Sequence, residues 1–304
     1  MMNILMTGAT GLVGTALVKA LAVDGHTIYR LLRPGREKSG EAAERVVDVP
    51  WNPVDGEIGG SIGGVDAAIN LAGASIMAGR WTAKRKTVLR SSRVETTRGL
   101  VNAMAKMNPR PRVLVSASAV GYYGNRGDEI LTEKSAVGRG FLAELASEWE
   151  AEASRAEAFG VRVVRARFGI ILAKEGGALP QMMAPLKFGL GGKLGSGRQW
   201  MSWVALDDVV AIIKRALADD ALRGAVNVVA PEPVRNDEFT MLLAKTMHRP
   251  AIFAAPAFLL RLAMGEMADE ALLASERAAP QKLEQVKYQF LHTNAGEALQ
   301  ALLG

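Results

Sequence analysis

The sequence predicts an α/β protein with a doubly wound parallel sheet and a smaller, mostly helical C-terminal region. Three observations lead to this fold class. Short apolar runs alternate with amphipathic stretches through the first 170 residues, a glycine-rich turn follows the first run, and the alternation breaks after residue 172. Strands separated by helix-length segments form βαβ units, and right-handed crossovers then favour an open sheet over a barrel.

The elements of the first half follow from their residue patterns. Apolar and β-branched runs predict strands at 3–7, 26–32, 45–49, 67–71, 112–117 and 161–168. Apolar residues at three- and four-residue spacing predict helices at 12–23, 81–107 and 141–159. Their alternation is typical of a parallel sheet.

The second half has a different pattern. Residues 175–203 carry too many glycines for one regular element, whereas 206–218 and 225–230 resume the pattern as a helix and a strand. From about residue 234 the chain is predicted to be mostly helical, with Asn236 as a helix cap.

These patterns predict two domains. The first covers 1–172, and residues 205–232 return to it. The second covers 173–304 and combines the glycine-rich segment with helices. We expect the glycine-rich segment to be mobile and to line a cleft, or else to form a static cover on the sheet edge.

Composition excludes several kinds of site. There is no cysteine, and the three histidines are far apart in sequence, so neither a disulfide framework nor a metal centre is expected. The net charge of +6 is dispersed and accompanies no aromatic-interleaved basic stripe, so nucleic-acid binding is not expected. Such a surplus suits an anionic small molecule.

The start of the chain and its hydropathy bear on location. "MMNILMTG" has no basic n-region, and no run of eighteen uncharged apolar residues predicts a membrane span. We therefore expect a cytoplasmic protein with a small-molecule partner and no membrane partner. A homodimer is left open.

The stretch "MTGATGLVGTALVKAL" places three glycines between the first strand and the first helix. Gly8 permits the sharp turn, Gly11 lets backbone amides approach a pyrophosphate, and Gly14 lets the helix pack on the sheet. The helix N-terminus adds a favourable dipole for an anion. The predicted contacts of a bound dinucleotide are Gly8, Thr10, Gly11, Leu12, Val13 and Gly14.

The end of the second strand indicates which dinucleotide would bind. Proteins that bind NAD usually carry an acidic residue there for the ribose 2′-hydroxyl. This chain has "YRLLRPGR", with Arg33 at the strand end and Arg36 close behind. A guanidinium can bind a 2′-phosphate through paired hydrogen bonds, which favours NADP(H), although a solvated surface arginine is the alternative.

Two further strand ends carry candidate site residues. "NLAG" follows the fourth strand, and Leu71, Ala72 and Gly73 suit a close approach of backbone to cofactor. "LVSASAVGYYG" places Ser116 and Ser118 at the carboxyl edge of the fifth strand, where ligands bind in open α/β sheets. A turn or capping role for these serines is the alternative.

These pieces resemble the extended short-chain dehydrogenase/reductases, the superfamily of NAD-dependent epimerases and dehydratases. The segments that carry the closer resemblance are "GRWTAKRKTVLRSSRVETTRGLV", "SASAVGYYG", "SEWEAEA", "GLGGKLGSGRQWMSWVALDDVV" and "EPVRNDEFTMLLAKTMHRPA". They are similar to an epimerase-like subfamily with its own C-terminal domain, whose members are sometimes labelled sugar-nucleotide epimerases or cell-division inhibitors. The resemblance implies a Rossmann core that binds NADP(H), with Arg33 at the 2′-phosphate and Arg93 within reach of the cofactor.

One departure from the superfamily affects the expected chemistry. Its usual Tyr-x-x-x-Lys helix supplies a phenol whose pKa the lysine lowers for proton exchange with the substrate. The same frame here reads Phe141-x-x-x-Leu145. Tyr122 and Tyr123 are the tyrosines near the expected site, and either could replace it, with Ser118 bonding the substrate oxygen; Tyr123 is the candidate we name, and a packing tyrosine is the alternative. The expected function is therefore an epimerase-like oxidoreductase of unknown substrate, or else a catalytically silent NADPH-binding sensor or partner-binding module.

Overall fold

The computed structural model describes residues 1–33, 45–54, 56–59 and 62–304. The strands in these residues are β1 (Asn3–Thr7), β2 (Thr27–Leu32), β3 (Val46–Asn52), β4 (Glu57–Ile58), β5 (Ala67–Asn70), β6 (Val113–Ala119), β7 (Ile130–Leu131), β8 (Arg162–Phe168), β9 (Ile170–Ala173), β10 (Gly176–Gly177), β11 (Trp200–Met201), β12 (Trp203–Ala205), β13 (Gly224–Val228), β14 (Val234–Arg235) and β15 (Arg277–Ala278). The α-helices are α1 (Leu12–Val23), α2 (Ala83–Arg90), α3 (Thr96–Lys106), α4 (Phe141–Ser154), α5 (Leu179–Lys187), α6 (Leu206–Ala218), α7 (Asn236–Thr246), α8 (Ala257–Met264), α9 (Gln281–Gln285) and α10 (Ala295–Leu303).

The central sheet has eight strands in the order β13-β8-β6-β5-β1-β2-β3-β4. Every neighbouring pair is parallel except β3 with β4. The strand order reverses between β1 and β5, which creates the crevice in which doubly wound sheets bind ligands. The predicted doubly wound parallel sheet is confirmed.

Helices cover both faces of this sheet because its strands are apolar on both sides. Ile4 and Met6 of β1 pack in one core with Leu17 of α1 and Ile213 of α6. Leu5, between them in sequence, packs in the opposite core with α3 and the end of α4. This two-sided burial is typical of parallel sheets and holds the strand ends rigidly at the carboxyl edge.

The C-terminal region packs around a third core, in which Trp203 and Phe239 are fully enclosed. Two small sheets connect it to the rest of the chain. β12 pairs with β9, and β15 pairs with β7. Helices α7 to α10 make this region mostly helical, as the sequence predicts.

Two sequence predictions need correction in detail. Asn236 does not cap α7 but lies inside it, and its side-chain oxygen accepts a hydrogen bond from the Leu194 amide at 2.8 Å. The helix predicted at 81–107 comprises α2, a π turn at Ser91–Glu95 and α3.

In the glycine-rich segment, a side chain at Gly192 would overlap the Phe253 carbonyl, so this glycine permits close backbone packing.

Candidate functional site

The junction of β1 and α1 has room for glycine alone at two positions, Gly8 in the turn and Gly14 in the first turn of the helix. Gly8 has a φ of +69°, and a Cβ there would lie 2.7 Å from the Ala72 amide nitrogen. A Cβ at Gly14 would lie 2.8 Å from Ala9 Cα. Both contacts are with backbone, which cannot move aside cheaply. The chain therefore passes through this turn pressed against the end of β5.

The same turn presents unpaired backbone donors. Helix α1 begins at Leu12 without a side-chain cap and without an acidic residue in its first turn. Within the described part of the chain, the amides of Leu12 and Val13 donate no hydrogen bond, as is usual for the first turn of a helix. A Cβ at Gly11 would meet only the Gly8 oxygen, at 3.4 Å, so its outer side is open. Open space beside free amides and a helix N-terminus fits a phosphate group.

The carboxyl end of β2 lies beside this turn because β2 pairs with β1. Arg33 follows the last residue of β2 directly and is exposed. Arg36 falls outside the described residues. The position at the strand end thus carries a positive charge where proteins that bind NAD place an acid.

The segment after β5 carries a second cation. Arg93 donates to the carbonyl oxygens of Ala74 at 3.0 Å and Leu89 at 3.2 Å, and its guanidinium carbon lies 5.3 Å from the centre of the Trp149 ring. A Cβ at Gly73 would lie 3.2 Å from that guanidinium carbon, so the loop after β5 rests on Arg93.

Arg93 keeps its charge although it has no carboxylate partner among the described residues. Burial, followed by the nearby charge of Arg85, lowers the pKa of Arg93 to about 10. That value leaves it protonated at neutral pH. A cation satisfied only by carbonyl groups can attract a further polar or anionic group at this edge of the sheet.

A buried polar chain fixes the ends of the central strands. Thr7 donates to the Asn70 side-chain oxygen at 2.6 Å, and Asn70 donates to Thr97 at 2.7 Å and to Ser116 at 3.1 Å. Trp149 of α4 also donates to Thr97, at 2.9 Å. Ser116 is therefore part of the support beneath the crevice.

Ser118 leads into a second buried chain. Its hydroxyl donates to Glu150 Oε1 at 2.7 Å, and the same carboxylate accepts two hydrogen bonds from Arg167, at 2.7 and 2.8 Å. Arg167 in turn donates to the Tyr123 hydroxyl at 2.9 Å and stacks on the Tyr122 ring at 3.5 Å. Strand β8, α4 and the end of β6 are thereby linked through charged groups.

Tyr123 lies at the inner end of that chain, with 0% of its surface exposed. Besides Arg167, its hydroxyl is within hydrogen-bond distance of Asn227 Oδ1 at 2.7 Å and of the Thr132 carbonyl at 2.9 Å. Burial raises the pKa of Tyr123 to about 12, although Arg167 and Asn227 oppose the rise. A phenol held in this way is poorly placed to exchange a proton with a substrate, so its catalytic role stays a prediction without support from the geometry.

The frame that replaces Tyr-x-x-x-Lys is apolar in the structure as well. Phe141 and Leu145 are 8% and 2% exposed and belong to a core cluster with Trp81, Leu89 and Met267. The rings of Phe141 and Trp81 meet edge to face at 5.3 Å. This helix therefore supplies packing where relatives of the wider superfamily would supply acid and base.

Sequence reasoning missed two carboxylates from the C-terminal region. Glu270 accepts hydrogen bonds from the amides of Phe141 at 2.9 Å and Leu142 at 2.8 Å, and so caps α4 from outside. Glu276 Oε1 lies 3.9 Å from the place that a Cβ on Gly121 would occupy. No local pattern signals either contact, because more than a hundred residues separate the partners.

It also missed Glu150 and Arg167, although these left a signal. Arg167 alternates with apolar residues in "RVVRARF", a predicted strand of the parallel sheet, and helices usually cover both faces of such sheets. An arginine in such a strand needs an acidic partner. Glu150, the buried glutamate of "SEWEAEA", is that partner.

The described residues contain neither a candidate metal site nor a helix that could span a membrane. No three or more histidine, aspartate or glutamate side chains converge there in a group that could hold a metal ion. None of the helices of that part combines the length and apolar character needed to cross a membrane.

Comparison with known proteins agrees with the fold and extends it. Residues 4–229 match the model of the NAD dependent epimerase/dehydratase family, and residues 255–302 match a domain of unknown function, DUF1731. An epimerase family protein of Mycobacterium tuberculosis, MT2273, is 41% identical over 97% of this chain and 95% of its own. The Bacillus subtilis epimerase family protein YfhF is 39% identical over 99% of this chain and 98% of its own.

Among solved structures, the human epimerase family protein SDR39U1 (isoform 2) with NADPH superposes with a TM-score of 0.89. It is 29% identical, and the alignment covers 99% of both chains. The resemblance to extended short-chain dehydrogenase/reductases with their own C-terminal domain is confirmed. This chain belongs to the NAD-dependent epimerase/dehydratase family.

Proposed function

We propose that this protein binds NADP(H) and uses it for oxidoreductase or epimerase-like chemistry on a small-molecule substrate. The observation that carries the proposal is the turn after β1, with its free amides and Arg33 beside it. In that arrangement Gly8, Thr10, Gly11, Leu12, Val13 and Gly14 would hold the pyrophosphate, and Arg33 would bind the 2′-phosphate. The NADPH in the human relative's structure supports the choice of cofactor.

The remaining cofactor contacts follow from the crevice between β1 and β5. The backbone of Leu71, Ala72 and Gly73 would line the nicotinamide ribose, and Arg93 beneath them would supply the positive charge that the absent lysine gives elsewhere. A bound nicotinamide can give or take a hydride. The protein would exclude water from this crevice by the packing of α4 and the C-terminal helices above it.

We assign Ser118 and Tyr123 different parts. Ser118 stands at the carboxyl end of β6 and donates its hydroxyl proton to Glu150, so its oxygen would orient a substrate by accepting a hydrogen bond from a substrate hydroxyl. Tyr123 would act as a positioning residue, because it holds Arg167 and through it Glu150. In this assignment Tyr123→Phe lowers thermal stability more than it changes kcat for any substrate, and Ser118→Ala does the reverse.

The proposed domains assign these parts to segments of the chain. Residues 1–172 with 205–232 would bind the cofactor, and 173–304 would select the substrate. Assembly as a homodimer and residence in the cytoplasm belong to the proposal as well, and size-exclusion chromatography with light scattering and fractionation of the source cells test them.

Calorimetric titration of the purified protein with NADPH and with NADH tests the cofactor assignment. Charged hydrogen bonds from Arg33 are worth about 1.5–3 kcal/mol, so NADPH should bind about 10- to 100-fold more tightly than NADH. Arg33→Ala should remove most of this difference and leave NADH binding nearly unchanged. Arg112→Ala, at the opposite edge of the sheet, is the matched control. Equal affinities in the unmodified protein would overturn the assignment.

A second candidate is a catalytically silent NADPH sensor. The enclosure of Phe141 and Leu145 in an apolar cluster favours it, because a redox enzyme without a proton relay loses a factor of about 10² to 10⁴ in rate. Mass spectrometry of copurifying small molecules, together with NADPH oxidation in their presence, distinguishes the two. Firm NADPH binding with no oxidation by any copurified compound would favour the sensor.

A further inference from the structure

Glu276 reaches from the C-terminal region into the Rossmann domain. It precedes β15, and its backbone is fixed by two hydrogen bonds: its amide donates to the Trp200 carbonyl at 3.1 Å, and its carbonyl accepts from Ser202 Oγ at 2.7 Å. Its carboxylate lies against Gly121, three residues beyond Ser118. The Cβ of Leu142, in the first turn of α4, is a neighbour of the same glycine. Glu276 Oε1 and the side chain of Leu142 therefore lie on the same side of Gly121, just beyond the end of β6.

The Glu276 carboxylate is free for chemistry. It is half-buried, and within the described ranges no hydrogen bond or ion pair involves either of its oxygens. The other charged groups of this region have partners of their own. Glu270 accepts hydrogen bonds from the amides at the start of α4, and the guanidinium of Arg277 lies 4.5 Å from the centre of the Trp200 ring. Asp128 accepts hydrogen bonds from Trp200 and Arg235. Partial burial of a carboxyl group without a partner costs free energy, and such a group is a candidate for a functional role.

We propose that Glu276 is the acid–base residue of this site and does the work of the missing tyrosine. The inference rests on the proposed NADP(H)-dependent function. In the reductive direction the carbonyl carbon of a ketone or aldehyde gains a hydride from NADPH, and the carbonyl oxygen gains the proton of Glu276. The products are an alcohol, NADP⁺ and the Glu276 carboxylate, which takes a proton back from solvent. The oxidative direction reverses each transfer.

The protonation of Glu276 suits that role. Burial raises its pKa to about 8, and no charged group of the described chain adds to the shift. Near neutral pH the carboxyl is mostly protonated and can donate, and close to pH 8 it can also accept. A general acid or base works best with a pKa near the working pH.

The affinity ratio of NADP⁺ to NADPH as a function of pH tests this proposal without a substrate. The nicotinamide ring is positively charged in NADP⁺ and neutral in NADPH, so an ionised carboxylate beside it favours NADP⁺. Between pH 6.5 and 9.5 we expect NADP⁺ to gain roughly fivefold or more in affinity relative to NADPH. Titration of the 2′-phosphate affects both nucleotides equally and cancels in the ratio.

Three variants complete the experiment. Glu276→Gln should bind both nucleotides with a ratio that no longer depends on pH, and Glu276→Asp should keep the dependence. Glu270→Gln, a carboxylate that contacts the same helix but only caps it, should lower the Tm and keep the dependence. A flat ratio in the unmodified protein, or a dependence that survives Glu276→Gln, overturns the assignment of Glu276. Failure of both nucleotides to bind would instead overturn the proposed function on which it rests.

Discussion

The guanidinium of Arg167 and the carboxylate of Glu150 are joined by two hydrogen bonds, from Nε to Oε1 at 2.7 Å and from Nη2 to Oε2 at 2.8 Å. Both side chains are buried. Arg167→Met would leave the buried carboxylate with only the Ser118 hydroxyl and, at 3.7 Å, the guanidinium of Arg165, and we expect the free energy of unfolding to fall by about 3 kcal/mol. Urea unfolding at pH 7 measures this loss.

The control for that substitution is Arg98 of α3, whose side chain is 51% exposed and which pairs with Glu152 of α4 at 2.6 Å. Arg98→Met should cost less than about 1 kcal/mol, since solvent screens such pairs. Equal losses for the two variants would show that burial does not set the cost here.

Alanine substitutions at Gly11, which precedes α1, and at Gly14, in the first turn of α1, should have different effects. Gly14→Ala places a methyl group 2.8 Å from Ala9 Cα, so we expect a large drop in Tm. Gly11→Ala adds a methyl group on the open side of the turn, so we expect a nearly unchanged Tm and NADPH binding weakened about tenfold or more. Thermal unfolding and calorimetry separate the effects. Unimpaired NADPH binding by Gly11→Ala would place the pyrophosphate elsewhere.

Restoring the superfamily's lysine should damage this protein. Leu145 is 2% exposed within an apolar cluster, and Leu145→Lys would bury an ammonium group without a partner. We expect a loss of about 3 kcal/mol or more in unfolding free energy, whereas Leu145→Met should cost less than about 1.5 kcal/mol.

The double variant Phe141→Tyr with Leu145→Lys should then gain no carbonyl reductase activity toward phenanthrene-9,10-quinone as a probe. A gain would show that the frame still accepts the usual relay, which would favour the sensor function for the natural sequence.

The raised pKa of Glu276 makes stability depend on pH. The group titrates near its ordinary value of 4.5 when unfolded and near 8 when folded, so the folded state holds the proton more tightly. Its stabilising contribution is complete below about pH 4.5 and is lost as the pH rises to about 8.

Comparison of Glu276→Gln with the unmodified protein isolates this contribution. The variant should gain stability relative to the unmodified protein by about 2–4 kcal/mol between pH 5 and pH 8.5. Urea unfolding at both pH values measures the gain. If Glu276→Gln and the unmodified protein differ in stability by the same amount at pH 5 and at pH 8.5, the folded protein does not hold the Glu276 carboxyl in its neutral form.

The sheet could be predicted because its signals are local. The glycines after β1, the apolar runs of β1, β2, β3, β5, β6 and β8 and the helical spacing between them each act over a few residues. The glycine turn between β1 and α1 was predictable for the same reason, since one short segment forms all of it.

The chemistry at the carboxyl edge could not be predicted in the same way. Glu270 and Glu276 meet α4 and Gly121 only after the whole C-terminal region has folded back. Of the adjacent tyrosines, Tyr123 is fully enclosed and Tyr122 is partly exposed, and nothing in "GYYG" says which is which. Asn236 is a residue type that often caps helices, but its side-chain oxygen accepts a hydrogen bond from the amide of Leu194 instead.

Because β15 completes a small sheet with β7 and Glu270 caps α4, the C-terminal segment is not a detachable accessory. Exchanging residues 255–302 alone between relatives would pair a foreign strand with the native β7 and a foreign carboxylate with the native helix. We therefore expect a functional chimera to carry residues 121–142 along with that segment, although more than a hundred residues of chain lie between the two stretches.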